Sequence, residues 1–232
     1  MQNKVELLGY YGSDEVIACS AWTSTSRNLT DEKRSRVGKL INMLWSNGHE
    51  TPFEKGVVHF LINTDIATHI QLLKHRISSL NAESARYKEL KEDKYYVPED
   101  WTGIPISKEL YSGSSRFKMG QDHTWTEALD EYTKIGNMLY HHCVEDLSSV
   151  LGRKRAKESA RFFKTYNSQI QADIMFNIRS FANFIKLRNS EHAQKEIREI
   201  AQKMLDIVEN IDYNPFRHTL LAIQKRIEKE NG

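Results

Sequence analysis

Apolar residues recur along this chain with two periods, and the switches between them mark out the elements. Val5 to Tyr11 is a β-branched and aromatic run that predicts a first strand, and Ser13 followed by Asp14 and Glu15 predicts a helix running through Val16, Ile17 and Ala18. Val37, Leu40, Ile41 and Leu44 recur at helical spacing behind Asp31 as cap, and Asn47-Gly48 supplies a left-handed stop. Val57, His59, Leu61 and Asn63 alternate with Val58, Phe60 and Ile62, which predicts a strand covered on both faces. Asp65 then caps a helix through Ile66, Ile70 and Leu73 that runs directly into Lys74.

In the second half, Leu129, Tyr132, Ile135, Leu139 and Val144 predict a long helix from Trp125 to about Leu151, ended by Gly152. A strongly basic helix from Arg153 to Phe163 follows, then strand character from Thr165 to Phe176. Asn177 to Leu187 reads as a helix with Ile178, Phe181, Phe184 and Ile185 on its apolar side. A last long helix begins around His192 with Ile197, Ile200, Met204, Ile207 and Val208 inward. There is no internal repeat, no G-x-G-x-x-G and no P-loop. The pattern predicts a helix-dominated α+β fold forming one domain over residues 1–232.

Composition narrows the function classes. A hydrophobic content of 39%, a charged content of 28% and only 4 prolines are those of an ordinary soluble protein. With no apolar run of membrane-span length and no secretion signal in the first residues, a cytoplasmic location is expected. The net charge of +2 is too small to imply a nucleic-acid surface by itself. Cys19 and Cys143 lack metal-ligand or redox spacing, so two reduced, mostly buried thiols are expected.

The chemistry is concentrated elsewhere. Lys74 to Tyr87, K-H-R-I-S-S-L-N-A-E-S-A-R-Y, holds Lys74, His75, Arg76 and Arg86 among hydroxyl and amide donors, with apolar residues too sparse for a buried face. Beginning at a helix C-terminus and continuing as irregular chain, it offers the donors needed to hold an anion such as a nucleotide phosphate. A second polar cluster runs from Asn177 to Gln194, where Asn177, Ser180 and Arg188 share one side of a helix with Asn183 nearby, while Arg179 points elsewhere. By itself that face is equally a solvated one; paired with the first segment it points to a ligand. Gly48 to Glu54 adds His49 and two carboxylates in irregular chain, and Arg161 stands on the basic helix beside Arg153, Lys154, Arg155 and Lys157.

Together these residues resemble the flavin-dependent thymidylate synthases, whose motif R-H-R-x-x-S-x-N-x-x-S-x-R-Y is matched at His75, Arg76, Ser79, Asn81, Ser84, Arg86 and Tyr87. The resemblance implies an α+β fold with a small, mainly antiparallel sheet, a homotetramer, and FAD bound where subunits meet. It implies reductive methylation of dUMP to dTMP, with methylenetetrahydrofolate as carbon donor and NADPH reducing the flavin. Carried over by position, His49, Lys74, His75, Arg76, Ile77, Asn81, Asn177, Arg179, Asn183, Leu187 and His192 are expected at FAD. Gln71, Ser84, Arg86, Arg161 and Arg188 are expected at dUMP, with Arg86 and Arg161 on its 5′-phosphate and Arg188 and Ser84 carrying the catalytic roles. No metal, membrane or nucleic-acid partner is implied. Two departures stand out: Lys74 replaces the motif's first arginine, and Ala82-Glu83 stands where glutamate followed by an apolar residue is usual. The competing reading is a nucleotide- or single-stranded nucleic-acid-binding relative without turnover, suggested by Arg153 to Lys157 and these departures.

Overall fold

Alternating side chains set the first antiparallel strand pair. Strand β1 (Lys4–Tyr11) pairs antiparallel with β2 (Val57–Asp65), Lys4 opposite Asn63 and Tyr11 opposite Val57, with a register shift between Leu7 and Gly9. The structure, a computed structural model, describes residues 2–107, 109–111, 118–120 and 122–231. The predicted elements are present in the predicted order, with local differences that have physical causes.

Chain contacts divide the molecule into two units, one comprising Met1–Gln2, Thr64–Ala67 and Ala82–Ile170, the other Asn3–Asn63, Thr68–Asn81 and Gln171–Gly232. In the second unit, α1 (Asp14–Trp22) is capped by Ser13, whose Oγ accepts from the Val16 N–H. Helix α2 (Asp31–Ser46) is capped by Thr30 rather than by Asp31: the extended Thr30 hydroxyl accepts from Lys33 N–H, and Asp31 lies inside the first turn, where its charge complements the helix dipole. Gly48 takes the left-handed conformation at φ 73° as expected, and Thr51–Lys55 forms a 3₁₀ turn.

Strand β2 is covered on one face, not two: Val58, Phe60 and Ile62 are fully buried, whereas Val57, His59, Leu61 and Asn63 are half-buried. The outer face carries a polar pair, His59 Nε2 to Asp173 Oδ1 at 2.6 Å, which explains why a histidine interrupts the apolar run. Helix α3 (Ile66–Leu72) follows Asp65 without a break, and Asp65 is the last strand residue; the Ile66 and Ala67 N–H groups donate to the carbonyls of Ser168 and Tyr166. Within the segment expected to be irregular, Ser79–Ala82 forms β3. The four-stranded sheet has the order β1-β2-β6-β3, where β6 is Gln169–Asn177.

Three helices complete this unit: α6 (Ile178–Arg188), α7 (Lys195–Glu209) and α8 (Arg217–Asn231). The pattern of α7 is as predicted, although Ile207 is only partly buried. Helix α8 lies beyond the one expected to be last; its polar, strongly charged sequence hides its apolar stripe of Leu220, Ile223 and Ile227. Its start is fixed by buried Asp14, whose carboxylate accepts from the N–H groups of His218 and Thr219 and from Thr219 Oγ1 at 2.6–3.0 Å. The core joins Ile17, Ile41, Phe60, Phe176, Phe181, Phe184, Ile200 and Phe216, with Phe176 stacked on Phe184 at 5.2 Å.

The other unit contains the short antiparallel pair β4 (Leu110–Tyr111) and β5 (Lys118–Met119), and α4 (Trp125–Leu151), which opens on a reciprocal capping box between Thr124 and Glu127. Gly152, at φ 77°, joins α4 to α5 (Arg153–Ala160). The predicted helix to Phe163 ends at Ala160 and tightens into a 3₁₀ turn over Arg161–Phe163. Thr165 to Ser168, expected in strand, forms a turn held by Asn167, whose amide donates to Tyr96 O at 2.8 Å. Lys164 is buried by α4, donating to Asp93 and Asn137 with its Nζ 4.6 Å from the Tyr140 ring centre. Cys19 and Cys143 are free but half-buried, less enclosed than expected. Among the described residues no helix is long and apolar enough to cross a membrane.

Gly136 lets α4 approach the 3₁₀ turn: a Cβ there would stand 2.6 Å from the backbone oxygen of Phe163. Because backbone cannot swing aside, Gly136→Ala should cost about 1–3 kcal/mol of stability through overpacking. Urea unfolding of both proteins measures this, and an unchanged midpoint would refute the close approach.

Candidate functional site

Two helix ends and the turn after α3 build a cleft of about 510 Å³. The chain leaves α3 through Lys74, His75, Arg76 and Ile77; α6 contributes Arg179, Ser180, Asn183, Leu187 and Arg188; Phe176 comes from β6; and Glu50 and Glu54 come from the segment after α2. The spacing on α6 follows from helix geometry, since steps of three and four return to one side. Its opposite side, with Phe181, Phe184 and Ile185, is buried in the core and fixes the rotation of the helix.

One contact joins the two sequence clusters. Arg188 Nε donates to His75 Nε2 at 2.9 Å, while the His75 ring packs edge-on against Phe184, 4.9 Å between centres. Phe184 and Arg188 are one turn apart on α6, so the same helix supplies the wall and the donor. To accept this bond, Nε2 must be unprotonated, which places the ring proton on Nδ1. Burial, followed by the nearby Arg188 charge, pushes the His75 pKa down to about 4 from 6.5. Neutral imidazole therefore holds the guanidinium at neutral pH.

Arg179 lines the same cleft, contrary to the expectation that it points elsewhere. Its long side chain turns back to Glu50 Oε2 at 3.1 Å and Glu54 Oε1 at 2.7 Å, a reach that helix spacing alone does not report. Ser180 lines the cleft with the side of α6 that the sequence pointed to a ligand, whereas those two carboxylates and Phe176 were not assigned to one; the available signal for the acids was their four-residue separation before β2. Lining charges thus comprise four cations, Lys74, Arg76, Arg179 and Arg188, against two carboxylates. The excess favours an anionic ligand, while Ile77, 74% exposed, and Leu187, 51% exposed, offer apolar contact to a flat ring system. This donor set fits a dinucleotide-sized flavin: cations for the diphosphate, exposed apolar side chains for the rings.

Not every expected cofactor residue lines that cleft. Lys74, His75, Arg76, Ile77, Arg179, Asn183 and Leu187 do; His49, Asn81, Asn177 and His192 are not among its lining residues. Asn177 is the N-cap of α6, its Oδ1 accepting from the Ser180 N–H at 2.8 Å. His49 and His192 are exposed. Of the expected nucleotide residues, Arg188 lines the cleft, and Gln71 of α3 donates to Gln194, which in turn donates to Glu196 at 2.7 Å.

Ser84, Arg86 and Arg161 belong to the unit built on α4. Ser84 Oγ accepts from the Arg86 N–H, making a tight turn that leaves its O–H to donate. Arg86 Nε donates to Glu158 Oε1 at 3.1 Å, which lowers the Glu158 pKa. The displaced acid of the motif, Glu83, pairs with Lys88 at 2.8 Å. In the basic run, Arg153 donates to Glu89, Arg155 approaches Glu158 at 3.7 Å and Lys157 donates to Tyr87 O. Three of its cations are therefore engaged within the protein rather than arrayed for a polyanion. Among the described residues no group of His, Cys, Asp or Glu is placed to hold a metal ion.

Because the folded-state pKa of His75 lies below its ordinary value, its neutral form contributes fully above pH 6.5 and that contribution is lost as the pH falls towards 4. Buried His69 is shifted in the same direction, so the test is a difference. Subtracting the stability–pH curve of His75→Gln should leave a component that declines below pH 6.5, and a flat difference would exclude the neutral-imidazole contact.

The family described as thymidylate synthase complementing protein matches residues 6–212. A curated relative from Pseudothermotoga lettingae, named flavin-dependent thymidylate synthase, is 32% identical over 89% of this chain and 85% of its own length. One of the same name from Wolbachia pipientis is 29% identical over 98% of this chain and 82% of its own. Among solved structures, a UMP/dUMP methylase from Streptomyces cacaoi bound with 5-Br dUMP superposes with a TM-score of 0.75 at 24% identity, covering 97% of this chain and 95% of that one; it supports the fold. With the motif residues of two distant segments meeting at Arg188 and His75, and with a match spanning most of the sequence, this chain belongs to the thymidylate synthase complementing protein family, the flavin-dependent thymidylate synthases.

Proposed function

We propose that this chain reductively methylates dUMP to dTMP, taking the carbon from methylenetetrahydrofolate and, through FAD, the hydride from NADPH. The observation that carries this reading is the cation-rich cleft in which the two motif segments meet through Arg188 and His75. Lys74, Arg76 and Arg179 would hold the flavin diphosphate, with Ile77, Leu187 and Asn183 against its rings and ribityl chain. His49, Asn81, Asn177 and His192 are assigned to the same cofactor by motif position, through contacts completed in an assembled homotetramer. Residues 1–232 act as one functional domain, and a cytoplasmic location suits its nucleotide chemistry.

When bound, the flavin supplies the hydride; the chain supplies binding, orientation and charge. Arg86 and Arg161 take the nucleotide phosphate. Arg86 already holds one anionic oxygen, that of Glu158, and its terminal nitrogens present the fork a phosphate requires. Ser84 donates its hydroxyl to the nucleotide, and Gln71 orients the base. Arg188 stabilises negative charge that develops on the pyrimidine, held in place by a neutral imidazole that does not compete for its charge. Pairing within the basic run leaves the non-catalytic nucleic-acid reading without a structural observation in its favour.

The purified protein should be yellow, release flavin on denaturation, and form dTMP only with dUMP, methylenetetrahydrofolate and NADPH together. Arg188→Ala should lower dTMP formation by at least ~100-fold, well beyond its effect on flavin affinity. Ser84→Ala should raise the KM for dUMP by about fivefold, since a hydroxyl donor is worth about 1 kcal/mol. Full turnover in Arg188→Ala would remove its assignment, and colourless protein that FAD cannot reconstitute would remove the function.

A further inference from the structure

The family match ends at residue 212, yet α8, which follows it, reaches the rim of the cleft. Arg226 Nη1 on α8 donates to Glu50 Oε1 at 2.7 Å, and the other oxygen of the same carboxylate accepts from Arg179 Nε at 3.1 Å. One carboxylate is therefore shared between a cation that lines the cleft and one that does not. Arg226 is itself fixed on three further sides. Its Nε donates to Glu230 at 3.1 Å, Nη1 also reaches Trp45 O at 3.3 Å, and the guanidinium lies 5.6 Å from the centre of the buried Trp45 ring. The Asp14 carboxylate anchors the start of the helix that carries it.

We infer that Arg226 is a positioning residue for cofactor binding: it neutralises Glu50 and so lets Arg179 face an anionic ligand. The inference rests on the cleft being the flavin site. Without Arg226, Glu50 and Glu54 carry two negative charges against the single charge of Arg179, and this corner of the cleft becomes net acidic. With Arg226 the corner is balanced, its other partner Glu230 being paired with Lys186 as well, and Lys74, Arg76 and Arg188 remain as the net charge the ligand meets. The pairing is half-exposed, so its effect is electrostatic and modest rather than a determinant of folding.

Flavin affinity, read by fluorescence quenching with FAD and with riboflavin, tests this. Arg226→Gln should raise the Kd for FAD about tenfold, corresponding to ~1.4 kcal/mol, and change that for riboflavin less than about twofold, because only FAD brings the diphosphate. Arg226→Lys should recover part of the loss. In a Glu50→Gln background the charge to be neutralised is gone, and the double variant Glu50→Gln/Arg226→Gln, with the corner again balanced, should bind FAD like the parent. The inference is overturned if Arg226→Gln binds FAD like the parent, if both flavins weaken equally, or if the loss persists alongside Glu50→Gln. Arg76→Ala, a cation lining the cleft, separates the two levels. Should it weaken FAD while Arg226→Gln does not, only the role of Arg226 falls; should FAD bind undiminished to both variants, the flavin cleft falls and takes this role with it.

Discussion

Everything at the cleft depends on the hydrogen bond from Arg188 to an unprotonated His75. A guanidinium normally seeks a carboxylate, and a carboxylate here would cancel its charge. A neutral ring nitrogen gives direction without cancellation. The bond survives because Phe184 and the surrounding core keep the imidazole poorly solvated, which favours its neutral form. The core packing of α6 thus has an electrostatic consequence on its other side: the aromatic cluster that sets the rotation of the helix also sets the protonation state of a residue on a neighbouring turn.

The two arginines of α6 are treated differently. Arg188 keeps its full charge, whereas Arg179 shares two carboxylates. One cleft thus presents two kinds of cation, one whose partner is neutral and one whose charge is offset by neighbouring carboxylates. Lys74, in place of the motif arginine, also lines the cleft, and its point charge on a flexible stem fixes orientation less than a guanidinium fork.

Much of this was legible in the sequence because local rules and global fold agree. Trp125 to Leu151 has its capping box, periodic apolar face and terminal glycine, and the helix spans those residues. Lys74 to Ile77 and Asn183, Leu187 and Arg188, from two separate polar clusters of the sequence, line one cleft. What failed did so where a tertiary partner decided the outcome. Thr30 displaced Asp31 as cap by geometry, β3 formed because a sheet edge was available to Ser79–Ala82, and α8 was masked by charged residues that serve as ion-pair partners. Arg179 was misplaced because helix azimuth fixes a Cβ and not the end of a long side chain.

The cap that Asp14 places on α8 ties the charge of the cleft to a contact between α1 and the last helix described. Glu50 receives its second cation, Arg226, from a helix whose first turn is organised by a side chain of α1. Closing so long a loop is slow compared with local helix formation. The charge of this corner is therefore set by contacts of long sequence separation, and it is complete only with α8 docked.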